Sequence, residues 1–181
     1  MTFSMVRFGQ KIMGLSAVFL LSGCLGGGAG APGFYRDRKV NIASTTRFEP
    51  DRFSGMWHIR AEFTDPEEQV IPGAVEFRTG ADGRIAQIAV FGPRRGGWGV
   101  LDIYDVAQPM AGRLVAGTPP YATEYWVLWV DADYRTAVVG TPSGSFGWIL
   151  DRSKTGGADR IKAAREILKF NGYDLAQLRG K

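Results

Sequence analysis

From residue 56 to residue 151 the chain repeats one pattern. A short run rich in Val, Ile, Phe, Tyr and Trp is followed by a break of Gly, Pro or Asp. Such spacing suggests an all-β sandwich or barrel. Eight strands are predicted, over 56–63, 73–79, 84–91, 98–106, 112–116, 124–131, 135–140 and 146–151. Asp82-Gly83 falls between two of them and is a strong hairpin signal, because Gly accepts positive φ at little cost. Asp131-Ala132-Asp133 separates two apolar runs and should turn the chain again. Pro119-Pro120 cannot sit inside a central strand and marks a loop.

Side-chain alternation assigns faces. In 73–79, Val75 and Phe77 share one face and Glu76 and Arg78 the other, so Phe77 should point inward. In Tyr125-Trp126-Val127-Leu128-Trp129-Val130 both faces are apolar. One face must line an interior and the other must be covered from outside. The cover is downstream. Ile161, Ala164, Ile167 and Leu168 recur at helical spacing, which predicts an amphipathic helix over 158–170. Asn171-Gly172 then supplies its stop signal.

The N-terminus belongs to no fold. Arg7 and Lys11 are the only charges before Cys24, and an apolar run from Ile12 to Leu21 follows them. That run is too short for a bilayer, which needs about 20 apolar residues. A basic start, a short apolar middle and small residues after it read as a signal peptide over 1–23. Leu21-Ser22-Gly23-Cys24 resembles a bacterial lipobox. The resemblance implies cleavage before Cys24 and acylation of its thiol. Each buried methylene contributes about 0.8 kcal/mol, so two or three chains would hold the protein on a membrane almost permanently. Leu25, rather than Asp, follows the cysteine, which by the same resemblance favours an outer-membrane lipoprotein facing the periplasm. The glycine-rich stretch after it predicts a flexible tether over 24–39 and a folded domain over 40–181.

Composition narrows the partners. The formal net charge is +4, and two of the positive charges belong to the signal peptide. No cluster of Lys and Arg interleaved with aromatics appears, which argues against nucleic-acid binding. Cys24 is the single cysteine, so an intrachain disulfide and a thiol nucleophile in the folded domain are both excluded. Sequence does not define the oligomeric state.

Three separated motifs then resemble the lipocalin family. Gly55-Met56-Trp57 opens the first strand with a Gly-x-Trp. Asp131-Ala132-Asp133-Tyr134-Arg135 is similar to the Thr-Asp-Tyr turn between the sixth and seventh strands, with Ala132 in place of the threonine. Trp148-Ile149-Leu150-Asp151-Arg152 resembles the end of the last strand, where an arginine is expected. The resemblance extends over about residues 40 to 178, and the C-terminal helix looks like that of the bacterial, apolipoprotein D-like branch. It implies an eight-stranded antiparallel up-and-down barrel with the helix packed outside. It also implies structural roles for Gly55, Trp57, Asp133, Tyr134 and Arg152. Trp57 would plug the closed end with Arg152 across its indole face.

An eight-stranded barrel has room for side chains or one small ligand. The resemblance implies that ligand enters at the opposite end, between the loops around 64–72, 92–98, 117–123 and 140–145. Phe77, Phe91, Ile103, Trp126 and Leu128 are the candidates to line a cavity. Arg94, Arg95 and Trp98 are the candidates to hold an anionic headgroup above it. The expected function is binding of a fatty acid, a lysophospholipid or a similar amphiphile in the cell envelope, with no cofactor and no metal. A barrel filled by its own side chains and acting through a protein partner is the alternative. A lipid-modifying enzyme is a further one with little to work with. His58 is the only histidine, alternation points it away from the interior, and no Gly-x-Ser-x-Gly elbow is present.

Overall fold

The computed structural model describes residues 34–63 and 72–181. The expected signal peptide, Cys24, the expected tether up to residue 33, and 64–71 of the first expected entrance loop lie outside the described residues.

The expected strands form one antiparallel barrel. They are β1 (Gly55–Phe63), β2 (Ala74–Thr79), β3 (Ile85–Arg94), β4 (Gly97–Met110), β5 (Arg113–Ala116), β6 (Thr123–Val130), β7 (Thr136–Gly140) and β8 (Gly147–Asp151). Each pairs with the next, and β1 closes the circle by pairing with both β8 and β2. Closure removes the free sheet edges. A two-residue strand, β9 (Arg179–Gly180), adds to the upper half of β1. The expected hairpin at Asp82-Gly83 is present. Gly83 has φ 73°, and Asp82 Oδ1 accepts from Arg84 N at 3.0 Å.

Two details differ from the sequence reading. The expected 92–98 loop is mostly strand, because β3 runs to Arg94 and β4 starts at Gly97. Arg95-Gly96 alone makes the turn, with Gly96 at φ 97°. A two-residue hairpin turn needs positive φ, which glycine supplies. The tether also ends earlier than residue 39. Tyr35 and Arg36 are buried, and Arg36 donates to the carbonyls of Asn171 (3.0 Å) and Pro142 (2.7 Å). A guanidinium that finds backbone acceptors on two separate segments fixes its own chain against the barrel.

The helix α2 (Ala158–Phe170) lies on the outer face of β6, β7 and β8. Its Ala164 and Leu168 are fully buried, beside Leu128, Val138 and Ile149 of the wall. Gly172, at φ 84°, ends it, with Tyr173 N returning to Leu168 O at 3.0 Å. This is a glycine stop of the expected kind. A polar staple was not foreseen. Arg160 donates to Thr136 Oγ1 (2.8 Å) and Asp151 Oδ2 (3.2 Å), and Thr136 Oγ1 donates to the same carboxylate oxygen at 2.6 Å.

The apolar residues therefore divide between two cores. One fills the barrel and contains Phe53, Trp57, Phe77, Leu114, Val127 and Leu150. The other fills the space between barrel wall and helix. The double-faced apolar run in β6 supplies both, Val127 inward and Leu128 outward.

Candidate functional site

The barrel has two unlike ends. At the closed end the chain enters through α1 (Pro50–Phe53), whose Phe53 is fully buried against Trp57 and Phe77 at ring separations of 5.1 and 4.7 Å. Trp57 Nε1 donates to Phe53 O at 2.8 Å, so the one polar atom of the plug is satisfied. The Arg152 guanidinium lies over the indole, 3.8 Å from the ring centroid. It also donates to the carbonyls of Met56, Arg52 and Ser54 at 2.8 Å each and Phe53 at 3.2 Å. Those of Arg52, Phe53 and Ser54 are the last carbonyls before β1, and that of Met56 belongs to the start of the strand. A cation–π contact of this kind contributes about 0.5–2 kcal/mol. Gly55, at φ 88°, turns the chain beneath this guanidinium.

Beside the plug is the turn between β6 and β7. Tyr134 sits at φ 58°, unusual for a residue with a side chain. Its hydroxyl accepts from Glu49 N (2.8 Å) and donates to Arg47 O (3.3 Å), tying the entry segment to the turn. The aspartate that closes the turn is Asp131 rather than Asp133. One oxygen of Asp131 accepts from Arg135 N and Thr136 N, both at 2.6 Å. Burial raises its carboxyl pKa, but these two N–H bonds and Arg135 outweigh it, and the net direction is down. Asp133 has a side chain 66% exposed and makes only a surface ion pair with Arg135 at 2.8 Å.

The open half of the barrel is different. Residues paired across strands share a face, so the register from Trp57 and Val75 assigns the lumen side of every strand. Glu62 pairs with Trp148, Val90 with Asp102, Ile88 with Tyr104 and Leu114 with Tyr125. All are on the lumen face. Phe146 bridges Tyr125 and Trp148 in two edge-to-face contacts, at 5.4 and 4.4 Å. Burial, and then the charge of Asp102, push the Tyr125 hydroxyl above its ordinary pKa. Glu62 is ion-paired with Lys181 at 2.8 Å. Tyr104 and Asp102 face the lumen yet remain exposed, Tyr104 by 37%. Inward residues that water still reaches belong to a lumen open at this end. The arrangement is an aromatic wall with a few convergent polar groups, the usual make-up of a small-molecule site.

The structure redistributes the predicted ligand residues. Phe77 points inward, but it is packed in the plug. Phe91 pairs with Ala74 and Val100 on the outer face, and Ile103 is outside and 46% exposed. Trp126 is outside as well, with the Arg113 guanidinium 3.7 Å from its ring and its Nε1 on Glu124 at 2.8 Å. Leu128 is buried under the helix. The expectation that Phe91, Ile103, Trp126 and Leu128 line the cavity is therefore corrected. Phe91 follows lumen-facing Val90, Ile103 lies between lumen-facing Asp102 and Tyr104, and Trp126 and Leu128 flank lumen-facing Val127, so each alternates to the outer face. The expected headgroup trio also separates. Arg94 is on the lumen side of the hairpin and donates to Val100 O at 3.1 Å. Arg95 sits at the exposed turn, and Trp98 is on the outer face. His58 is outside too, paired with Ala74. Tyr125, Phe146, Trp148 and Asp102 were missed as a group, although all four lie in predicted strands. No group of metal-ligating side chains occurs among the described residues.

Comparison with known proteins agrees with this architecture. Residues 111–181 match the family model described as a lipocalin-like domain. Temperature-induced lipocalin-1 of Arabidopsis thaliana is 39% identical over 59 residues, which span 33% of this chain and 32% of that protein. Insecticyanin from the tobacco hornworm Manduca sexta superposes with a TM-score of 0.59 at 18% identity, over 82% of this chain and 86% of that one. The cockroach allergen Per a 4 gives 0.58 at 14% identity, over 80% and 94%, and apocrustacyanin C1 gives 0.53 at 15%, over 84% and 92%. The described residues therefore have the lipocalin fold, and the C-terminal part of the chain, residues 111–181, is similar in sequence to the lipocalin-like domain family.

Proposed function

We propose that this protein is a bacterial envelope lipoprotein of the lipocalin family, held at the outer membrane through Cys24 and facing the periplasm. It binds a small hydrophobic or amphiphilic molecule in the open half of the barrel, for storage or transport. The lipobox residues Leu21-Ser22-Gly23-Cys24 support the anchor. The lumen carries the binding reading through one observation. Tyr125, Phe146 and Trp148 form an apolar wall on the inward face, while Tyr104 and Asp102 on that same face are still reached by solvent. A barrel filled by its own side chains would leave no inward residue of the open half accessible. Asp102 and the Tyr125 hydroxyl give the ligand's polar end hydrogen-bond partners.

Native mass spectrometry with lipid extraction, on the Cys24→Ser chain purified from cells, tests the ligand. A co-purifying small apolar molecule displaced by Phe146→Ala is the expected outcome. An empty protein that takes up no fluorescent fatty acid would replace this reading with the partner-binding one. The anchor is tested separately by palmitate labelling, which Cys24→Ser should abolish.

A further inference from the structure

The outer wall between β1 and β2 carries a groove of about 380 Å3, away from the lumen. Met56 and His58 lie on the outer face of β1, and Arg60, the extra residue of the β1–β8 register shift, joins them. Trp98 closes the groove from the β4 side. The far edge of its ring reaches Gly73, where an added Cβ would be 2.3 Å from Trp98 Cη2. The indole nevertheless remains 62% exposed and Met56 40% exposed. The walls are thus apolar and accessible.

The rim is cationic. Arg60 Nη1 donates to the carbonyls of Ser153 (3.3 Å) and Gly156 (3.1 Å), both neutral acceptors. Lys154 lies alongside. Among the described residues neither Arg60 nor Lys154 has a carboxylate partner. The nearby acids are occupied. Asp151 is held by Arg160 and Thr136, Glu76 by Arg78, and Glu62 by Lys181. No Asp or Glu side chain lines the groove, and Lys181, which does, is the residue ion-paired with Glu62.

We propose that this groove is a second ligand site, separate from the lumen, for a single-chain amphiphile with an anionic head. Arg60 and Lys154 take the head, and Met56 and Trp98 take the first part of the chain. An uncharged chain gains nothing from two unneutralised cations, and a bare anion gains nothing from an exposed indole and thioether. The proposal holds whether or not the lumen binds anything.

The site contains its own reporter, since His58 is the only histidine of the chain. Burial and then Lys154 hold its pKa below the ordinary value. Asp151 opposes this and Arg60 adds to it. An anion seated on Arg60 and Lys154 offsets their charge and moves the His58 titration upward. The experiment is an NMR pH titration of His58 in the Cys24→Ser chain, with sub-micellar dodecyl phosphate, dodecyl maltoside or inorganic phosphate. Dodecyl phosphate should raise the titration midpoint saturably, and the other two should not. Lys154→Glu should weaken that binding about tenfold, with an unchanged melting temperature and unchanged uptake of a neutral fluorescent probe by the lumen. An equal response to dodecyl maltoside, or a full response to inorganic phosphate alone, would overturn the proposal. So would a response that grows with protein concentration, which marks a second copy, or one seen only with phosphatidylglycerol vesicles, which marks membrane docking.

Discussion

The two ends of the barrel are made of the same kinds of residue and do opposite things. At the closed end Phe53, Trp57 and Phe77 touch one another and nothing else enters. At the open end Tyr125, Phe146 and Trp148 also touch, but the neighbouring inward positions are Asp102, Tyr104 and Glu62. The difference lies in what caps each cluster. Arg152 seals the plug by satisfying four carbonyls and covering an indole with one side chain. The described residues of the open end contain no comparable seal. Aromatic residues stabilise the fold where their edges are covered, and offer a binding wall where they are not.

Four substitutions test this contrast, and the largest effect is expected at the plug. Trp57→Ala should cost about 3–5 kcal/mol, because it removes a fully buried ring and leaves a cavity. Thermal unfolding checks it, and the ligand affinity of the folded fraction should not change. An unaltered melting temperature would mean that the closed end is not held by its plug.

The second effect is at Asp131, and it depends on pH. Its folded-state pKa is depressed, so its stabilisation is present above the ordinary carboxylate pKa and is lost as pH falls through the folded value. Asp131→Asn should cost about 1–2 kcal/mol at neutral pH. The gap from the parent protein should close in acid, where Asp131 is itself protonated. Denaturant midpoints across that range check this, and a constant gap would remove the charge from the account. Third, Phe146→Ala should lower stability by about 1 kcal/mol, the scale of its edge-to-face contacts. The same change should cut ligand uptake severalfold. A variant that loses stability but keeps its uptake would move the binding wall elsewhere. The smallest effect is at Asp133. Its ion pair is exposed, so Asp133→Ala should stay within about 0.5 kcal/mol. A larger loss would show that the turn depends on more than Asp131.

The contrast was half legible in the sequence. Gly55, Trp57 and Arg152 occupy fixed places at strand ends, so their association did not depend on counting along a strand. The lumen wall did depend on it. Trp126 and Leu128 lie in a run where both faces are apolar, and hydrophobicity there names no side. Phe91 and Ile103 flank a bulge that no residue type announces. Each is an apolar residue of a predicted strand without a clear inward register in the sequence, and each is outside. Arg94, Arg95 and Trp98 look like one cluster in sequence because they are near neighbours. In a hairpin, residues four apart need not share a face once the turn intervenes.

What the sequence determined by itself was local. Apolar runs and turn residues specify eight strands, because period and φ preference act over a few residues. The spacing of Ile161, Ala164, Ile167 and Leu168 specifies the helix for the same reason. Tertiary structure alone decided which face of each strand became lumen, since pairing partners fix the register and bulges in several strand pairs reset it. It also decided that Asp131 rather than Asp133 closes the turn, and that His58, Arg60, Lys154 and Trp98 meet in one groove. These residues are up to 96 positions apart, as Arg60 and Gly156 are in their hydrogen bond. No local rule couples them, and only closure of the barrel brings them together.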